Sequence, residues 1–67
     1  MQLTINGTAR TFDPAVRTVA ELVRALGLEG KRVAVEKNGA IVPKSRHADT
    51  AIAEGDTLEI VGAVGGG

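Results

Sequence analysis

The residues with the clearest chemical potential in this 67-residue sequence are the three glycines at its end, residues 65–67. Because glycine has no Cβ, such an end could thread a narrow channel and bring a backbone acyl carbon against the catalytic atoms of another protein. An α-carboxylate has a pKa of about 3.5, so it is ionised at neutral pH. It could attack the α-phosphate of ATP, and the acyl-adenylate could then react with a sulfur or nitrogen nucleophile. The sequence therefore predicts that the reacting group is the terminal carboxylate of Gly67.

The side chains offer fewer candidates for chemistry. The chain has no cysteine, which excludes thiolate catalysis, disulfides and cysteine-based metal sites. The single histidine, His47, has no second metal ligand of the His or Cys type near it, so a surface or half-buried structural role is the better interpretation. Ser45 lacks a nucleophile signature, and Glu54 and Asp56 fit the chemistry of a turn. We therefore expect no catalytic side chain and no metal site. For the terminal glycines, the alternative interpretation is a frayed tail without a chemical role.

The charge balance and the composition exclude several classes of partner. Eight basic and eight acidic side chains give a net charge of zero, without a basic cluster that could bind nucleic acid. Phe12 is the only aromatic residue, so platforms for base stacking are missing as well. No apolar run approaches the ~18 residues of a membrane span, and the first residues do not resemble a signal peptide. These observations predict one small cytoplasmic domain with no nucleic-acid or membrane partner.

The start of the chain is predicted to form a β-hairpin. Residues 1–5 alternate apolar and polar side chains, which is the pattern of a half-buried strand. Asn6-Gly7 favours a type I′ turn, after which the chain returns. A two-residue turn places Arg10 opposite Leu3 on the apolar face. Either the stem of Arg10 packs there while its head reaches solvent, or the strand contains a bulge.

A helix is predicted to start at Thr18. Thr18 and Glu21 fit a capping box, in which the threonine side chain caps the N-terminus and the glutamate reaches back. Gly27 lies where a left-handed C-cap is expected, so the helix should have only about 8–9 residues. Apolar residues at the spacing i, i+3, i+4 and i+7 form one stripe that must be buried, and these are Val19, Leu22, Val23 and Leu26.

A second hairpin follows the helix. Residues 33–37 are rich in β-branched side chains, and Asn38-Gly39 favours another type I′ turn before residues 40–42. Ile41 and Val42 are neighbours in one strand, so they cannot face the same way. The pattern does not decide which of the two is buried.

The last strand has the clearest alternation. In residues 57–61 apolar and polar side chains alternate up to Val61. This pattern predicts that Leu58 and Ile60 point inward, whereas Glu59 and Val61 point outward.

The order of these elements predicts an α+β domain in which a mixed sheet of four to five strands packs on one helix, as in the β-grasp fold. The first and last strands have the strongest patterns and are expected at the centre of the sheet. Residues 44–54 are expected to be irregular and polar. The predicted domain covers residues 1–62. Residues 63–67 are expected to form a flexible C-terminal diglycine tail with a reach of ~17 Å.

Six short segments together carry a family resemblance: residues 1–7 (MQLTING), 18–22 (TVAEL), 33–38 (VAVEKN), 41–43 (IVP), 54–56 (EGD) and 64–67 (VGGG). Each segment is weak alone, but their order and spacing cover the full chain and end on Gly-Gly. The chain thereby resembles the ThiS family of sulfur carriers of thiamine biosynthesis, which has a ubiquitin-like β-grasp fold. Gly62 departs from the family pattern, because a residue that sustains the strand is common there. This departure predicts that the tail loosens earlier than in relatives.

The resemblance implies a role for the terminal glycines. Gly67 would be adenylated by an activating enzyme of the ubiquitin-activating type, which uses ATP and magnesium, while the chain itself binds no cofactor. Sulfur from a cysteine desulfurase or its sulfur relay would convert the carboxylate to a thiocarboxylate, and thiazole synthase would take that sulfur for the thiazole ring of thiamine. Val64, Gly65 and Gly66 would thread the active sites of these partners. The chain would then be a protein co-substrate rather than an enzyme.

A carrier must dock on its partners, and the exposed sheet face next to the tail is the expected docking surface. Val61 and Ala63 are outward candidates, and Ile41 or Val42 lies nearby if the second hairpin is adjacent. Three other interpretations stay open at this point. They are a sulfur carrier for molybdopterin synthesis, a ubiquitin-like protein modifier, and a β-grasp interaction module without a reactive terminus.

Overall fold

One mixed sheet and one short α-helix form most of residues 1–62, the part of the chain that the computed structural model describes. The elements are β1 (Gln2–Ile5), β2 (Thr8–Thr11), α1 (Val19–Ala25), β3 (Val33–Lys37), β4 (Ala40–Val42), a 3₁₀-helix (Lys44–Asp49) and β5 (Thr57–Gly62). The strands form a five-stranded sheet in the order β2-β1-β5-β3-β4, which confirms the predicted α+β architecture. Within residues 1–62 no helix is long and apolar enough to cross a membrane.

The first hairpin forms as its sequence predicts. Asn6 and Gly7 have φ angles of +50° and +85°, as a type I′ turn requires. Strands β1 and β2 pair without interruption, and Leu3 lies opposite Arg10. The alternative with a bulge is therefore wrong. The Arg10 guanidinium lies 5.5 Å from the centre of the Phe12 ring, so a cation–π contact accommodates its charge at the edge of the sheet.

Helix α1 begins with the predicted capping box. The Thr18 hydroxyl accepts a hydrogen bond from the Glu21 N–H at 3.2 Å, and the Glu21 carboxylate accepts one from the Thr18 N–H at 3.0 Å. The hydrogen bond from the Arg17 N–H, together with those from Thr18, holds the pKa of Glu21 below its usual value. Gly27 follows the helix with a φ of +76°, and α1 has seven residues, slightly fewer than expected.

Strand β5 lies at the centre of the sheet. It pairs in parallel with β1 and antiparallel with β3, whereas β2 and β4 form the two edges. The first and last strands are therefore both interior, which confirms the sequence prediction. A parallel pair needs a long crossover between its strands, and the segment that contains α1 and the second hairpin provides it.

The hydrophobic core lies between α1 and the inner face of the sheet. Leu58 and Ile60 of β5 are buried, as the alternation predicts. The helix buries one stripe and the sheet one face, which is the two-layer arrangement expected for this element order. The largest fully buried side chains are those of Leu3, Val19, Leu22, Val35 and Leu58.

The stretch expected to be irregular contains the 3₁₀-helix, and His47 anchors it. This side chain is 9% exposed, and its Nε2 lies 3.1 Å from the Val42 carbonyl oxygen. Because a carbonyl only accepts, Nε2 is the donor in this bond. His47 thus ties the 3₁₀-helix to β4, which agrees with the predicted structural role, but the side chain is buried and not at the surface or half-buried as expected. Within residues 1–62 no group of three or more His, Asp or Glu side chains is arranged to bind a metal ion.

Candidate functional site

The candidate site lies where β5 leads toward the terminal glycines. The strand continues through Gly62, which pairs with Val33 of β3. Gly62 itself therefore stays in the strand, whereas the expectation that the tail loosens earlier than in relatives concerns residues outside the described ones and stays a prediction. The predicted roles of Ala63, Val64, Gly65, Gly66 and Gly67 lie outside the described residues and stay predictions.

The side chain of Asn6 binds the backbone of β5 near this end. Its Nδ2 donates a hydrogen bond to the Ile60 carbonyl at 3.0 Å, and its Oδ1 accepts one from the Ile60 N–H at 2.8 Å. The Asn6 N–H also donates to the Leu58 carbonyl at 2.9 Å. An amide side chain therefore continues the ladder between β1 and β5 beyond the last residue of β1. In this way the first turn positions the last strand close to its C-terminal end.

The second turn binds the beginning of β5. The Asn38 Oδ1 accepts a hydrogen bond from the Thr57 N–H at 2.9 Å, and its Nδ2 donates to Asp56 Oδ1 at 3.0 Å. Asp56 Oδ2 accepts from the Ala53 N–H at 2.8 Å. Desolvation raises the pKa of Asp56, but these hydrogen bonds and the charge of Lys37 outweigh it, so the pKa lies below its usual 3.8. Side chains from the two hairpin turns thus bind both ends of β5.

The outer face of the sheet carries an exposed apolar pair next to two carboxylates. Ile41 of β4 and Val61 of β5 are 75% and 58% exposed. Glu36 of β3 lies between Ile41 on one side and Glu59 on the other, so these three residues form a row across the sheet. Neither carboxylate forms an ion pair with another part of residues 1–62. We call Ile41, Val61, Glu36 and Glu59 the outer patch.

Val42 does not belong to the outer patch. It is 8% exposed, forms part of the core and pairs with Val35 of β3. Successive side chains of a strand point to opposite faces, so a buried Val42 requires an exposed Ile41. The prediction of Val42 as a docking residue is therefore wrong. Ile41 is the exposed member of the pair that the sequence left open, and the outward orientation of Val61 is confirmed.

Comparison with known proteins identifies the family. A family model described as the ThiS family matches residues 3–67. The sulfur carrier protein ThiS of Bacillus subtilis is 35% identical over 65 residues, which are 97% of this chain and 98% of that protein. This chain belongs to the ThiS family.

Solved structures of ThiS proteins have the same fold. The crystal structure of the thiamine biosynthesis protein ThiS from Geobacter metallireducens is 36% identical, with a TM-score of 0.84 over the full length of both chains. The solution structure of a thiamine biosynthesis protein from the same organism has a TM-score of 0.80 and is covered over 88% of its length. These matches confirm the β-grasp fold that the sequence predicts.

Two further relatives of this ThiS-family chain are much longer. Thiazole synthase of Paramagnetospirillum magneticum is 49% identical, and thiazole synthase of Magnetococcus marinus is 33% identical, each over all 67 residues. The chain spans only 20% of the length of each of these proteins. A ThiS-like segment therefore also occurs within proteins named thiazole synthase.

Two features of this ThiS-family site are not predicted by the sequence. Asn6 and Asn38 are recognised there only as turn residues, because the Asn-Gly signal reports a preference for positive φ and not what lies across the sheet. Glu36 and Glu59 are recognised as separate positions, because their pairing depends on the order of the strands. A search for turn asparagines whose side chains could reach a neighbouring strand would identify the hydrogen bonds of Asn6 and Asn38 to β5.

Proposed function

We propose that this chain is the sulfur carrier of thiamine biosynthesis and that its reacting group is the carboxylate of Gly67. The match to the ThiS family over residues 3–67, with full-length similarity to a protein named a sulfur carrier, is the observation that carries the proposal. The fold supports it, because β5 is bound at both ends by Asn6 and Asn38 and could serve as a rigid base for a reactive end. In this role the chain is a co-substrate of its partner enzymes and not itself an enzyme.

The proposed reaction begins on an activating enzyme of the ubiquitin-activating type, which uses ATP and magnesium. The Gly67 carboxylate attacks the α-phosphorus and pyrophosphate leaves. The terminal sulfur of a persulfide on a cysteine desulfurase or its relay then displaces AMP from the acyl carbon and forms an acyl disulfide. A thiol reduces this S–S bond, so the end is released as a thiocarboxylate and the sulfur donor leaves as a disulfide with that thiol. Val64, Gly65 and Gly66 would thread the active sites, since glycine has no Cβ to block a narrow channel. We place these steps in the cytoplasm, where ATP is available.

Thiazole synthase is the proposed acceptor of the sulfur. The support is that a segment similar to this whole chain occurs in two proteins named thiazole synthase. A carrier and an acceptor in one polypeptide meet at a high effective concentration, so such a fusion fits two modules that must react with each other. A sulfur carrier for molybdopterin synthesis would instead deliver to the large subunit of molybdopterin synthase.

The proposed docking surface is the outer patch together with Ala63, which lies outside the described residues. Ile41 and Val61 offer exposed apolar area, and Glu36 and Glu59 offer negative charge beside it. A complementary partner would place apolar side chains on the pair and an arginine or lysine beside the carboxylates. The charges would mainly speed association, whereas the apolar pair would supply most of the affinity.

Intact-protein mass spectrometry tests the proposed function. The chain of residues 1–67 is incubated with ATP, magnesium, the activating enzyme, a cysteine desulfurase and cysteine. We expect the mass to rise by the difference between one sulfur and one oxygen atom. Deletion of Gly67 should abolish this gain, whereas Ser45→Ala, a matched small change at an exposed residue of the 3₁₀-helix, should leave it intact.

The same preparation distinguishes the alternatives. Loss of the added sulfur on incubation with thiazole synthase supports the proposed acceptor, and loss with the large subunit of molybdopterin synthase supports the other carrier. A covalent bond to a lysine of another protein would indicate a ubiquitin-like modifier. If no adduct forms under any activating condition, an interaction module without a reactive terminus is the better account.

A further inference from the structure

A cleft on the helix side of the molecule is separate from the outer patch and from β5. It has a volume of about 240 Å³ and lies between α1, the loop that follows α1 and the 3₁₀-helix. Among the described residues, those that line the cleft include none from the outer patch and none from β5. The inner part of its lining is apolar and buried or half-buried, and it consists of Ala20, Val23, Leu28 and Val33.

The opening of the cleft carries more positive than negative charge. Arg24, Lys31, Lys44 and Glu29 are its charged lining residues. Arg24 Nε and Glu29 Oε2 form an ion pair at 3.3 Å. Lys31 and Lys44 are exposed, and neither forms an ion pair with a carboxylate of residues 1–62. The chain as a whole has no net charge, so this excess of cations is a local property of the cleft.

Two hydrogen bonds to backbone carbonyls hold the walls of the cleft in place. The hydrogen bond of His47 to the Val42 carbonyl at 3.1 Å ties the 3₁₀-helix, which carries Lys44, to β4. On the other side, the Leu28 N–H donates to the Val23 carbonyl at 3.0 Å and orders the loop after α1. Hydrogen bonds therefore hold the inner walls of the cleft, whereas exposed charged side chains line its opening.

We propose that this cleft binds a small soluble molecule with one ring-sized hydrocarbon body and one anionic group. The size follows from the volume, which is below the ~300–1,000 Å³ of sites for drug-sized ligands. The hydrocarbon body matches the apolar inner lining, and the anion matches the unpaired Lys31 and Lys44. The proposal goes beyond the carrier function and does not depend on it, because the residues involved are different.

Phenyl phosphate is the probe, titrated into the ¹⁵N-labelled protein and followed by ¹H–¹⁵N correlation spectra. We expect saturable shifts at backbone amides of the cleft, among them Leu28, Lys31 and Ala48, with a Kd on the order of 1 mM. Inorganic phosphate lacks the ring and benzyl alcohol lacks the anion. Each should bind at least about ten-fold more weakly than phenyl phosphate, because it can use only half of the site.

Five variants separate the apolar and the charged contributions to binding. Ala48→Leu places a larger side chain in the cleft and should weaken the probe at least about five-fold, whereas Ala25→Leu, at an exposed position of α1 outside the cleft, should have no effect. Lys31→Gln and Lys44→Gln should each weaken it about two- to five-fold. Lys37→Gln removes a lysine that does not line the cleft and should leave the Kd unchanged.

The correlation spectrum itself reports whether each variant is folded. Shifts that do not saturate at about ten times the expected Kd would overturn the proposal. Equal binding of inorganic phosphate would show a general attraction of anions to lysines and would also overturn it. The same holds if the shifts map to Ile41 and Val61, or if Ala48→Leu binds the probe as well as the unchanged protein does.

Discussion

Asn6 and Asn38 each meet two requirements with one side chain. Both have positive φ angles, +50° and +51°, which asparagine tolerates better than most residues. Both also use their amide groups to bind the backbone of β5, at Ile60 and at Thr57. Glycine would satisfy the backbone requirement alone. Exchange for glycine can therefore separate the turn geometry from the hydrogen bonds across the sheet.

Asn6→Gly should lower the free energy of unfolding by about 1–3 kcal/mol, because both hydrogen bonds to Ile60 are lost while the turn is kept. Urea denaturation measures this change, and amide exchange should become faster at Ile60. Asn6→Asp keeps an acceptor for the Ile60 N–H but places a carboxylate oxygen against the Ile60 carbonyl, so it should lower the free energy of unfolding as well. Unchanged stability and unchanged exchange at Ile60 in the glycine variant would contradict this account.

Asp56 makes stability depend on pH in a defined direction. Its pKa in the folded protein lies below the usual 3.8, so its ionised form stabilises the fold above that pH, and the contribution is lost as the pH falls through the folded pKa. Asp56→Asn cannot accept both hydrogen bonds and should lower the free energy of unfolding by about 1–3 kcal/mol at pH 7. The difference from the unchanged protein should shrink below about pH 4.

Urea denaturation between pH 7 and pH 3 measures the effect of Asp56. Asp49→Asn removes a negative charge whose carboxylate accepts none of the hydrogen bonds found within residues 1–62, so it controls for charge alone. A stability difference for Asp56→Asn that stays constant over the whole range would show that ionisation of Asp56 is not the cause.

The ends of the helix are set mainly by its own residues, whereas the ends of the last strand are set by its neighbours in the sheet. Helix α1 is only seven residues long, but its capping box satisfies backbone donors locally, so its start is set by Thr18 and Glu21. Strand β5 needs neighbours on both sides, and its bounds reflect how far β1, β3 and the two turn asparagines extend. Gly62 is an example, because its pairing with Val33 keeps it in the strand although its own preference for strand is weak.

Gly62→Thr should raise the free energy of unfolding by about 0.5–1 kcal/mol. Its φ is outside the left-handed region and an added Cβ meets nothing within 4 Å, so a β-branched side chain can fit and favours strand. Thermal unfolding measures the change. Gly39→Thr has equally open space but a φ of +87°, and it should destabilise the fold. The opposite order of the two variants would show that backbone conformation does not control these sites.

The outer patch and the cleft have opposite charge. The outer patch presents Glu36 and Glu59, whereas the cleft on the helix side presents Lys31 and Lys44. The core separates the two faces, so a partner on one need not displace a ligand from the other. A chain with zero net charge can thus offer one face to a basic protein surface and another to a small anion.

Val61→Asp should weaken docking on the activating enzyme at least about ten-fold, because it places a charge on the proposed apolar contact and adds to Glu59. The free energy of unfolding should change by less than about 1 kcal/mol, since Val61 is 58% exposed. Adenylation kinetics as a function of carrier concentration measure the effect. Thr11→Asp adds the same charge to an exposed position of the edge strand β2 and should dock normally. Unchanged kinetics in Val61→Asp would remove Val61 from the docking surface.

Local patterns in the sequence were sufficient for the strands and the α-helix, but not for the 3₁₀-helix. The two Asn-Gly turns, the capping box at Thr18 and the alternation that buries Leu58 and exposes Val61 all depend on residues close together in the chain. Such signals are readable because backbone preference and side-chain periodicity act over a few residues. The prediction of Gly67 as the reacting group has the same local origin in the terminal glycines.

Contacts between distant segments decided the rest. The strand order, the burial of Val42 instead of Ile41 and the binding of Ile60 by Asn6 all join segments that are far apart in the chain. The sequence shows which side chains share a face of a strand, but not which strand lies beside it or on which side the helix packs. That choice depends on the total free energy of packing all elements together, and it also creates the outer patch and the cleft.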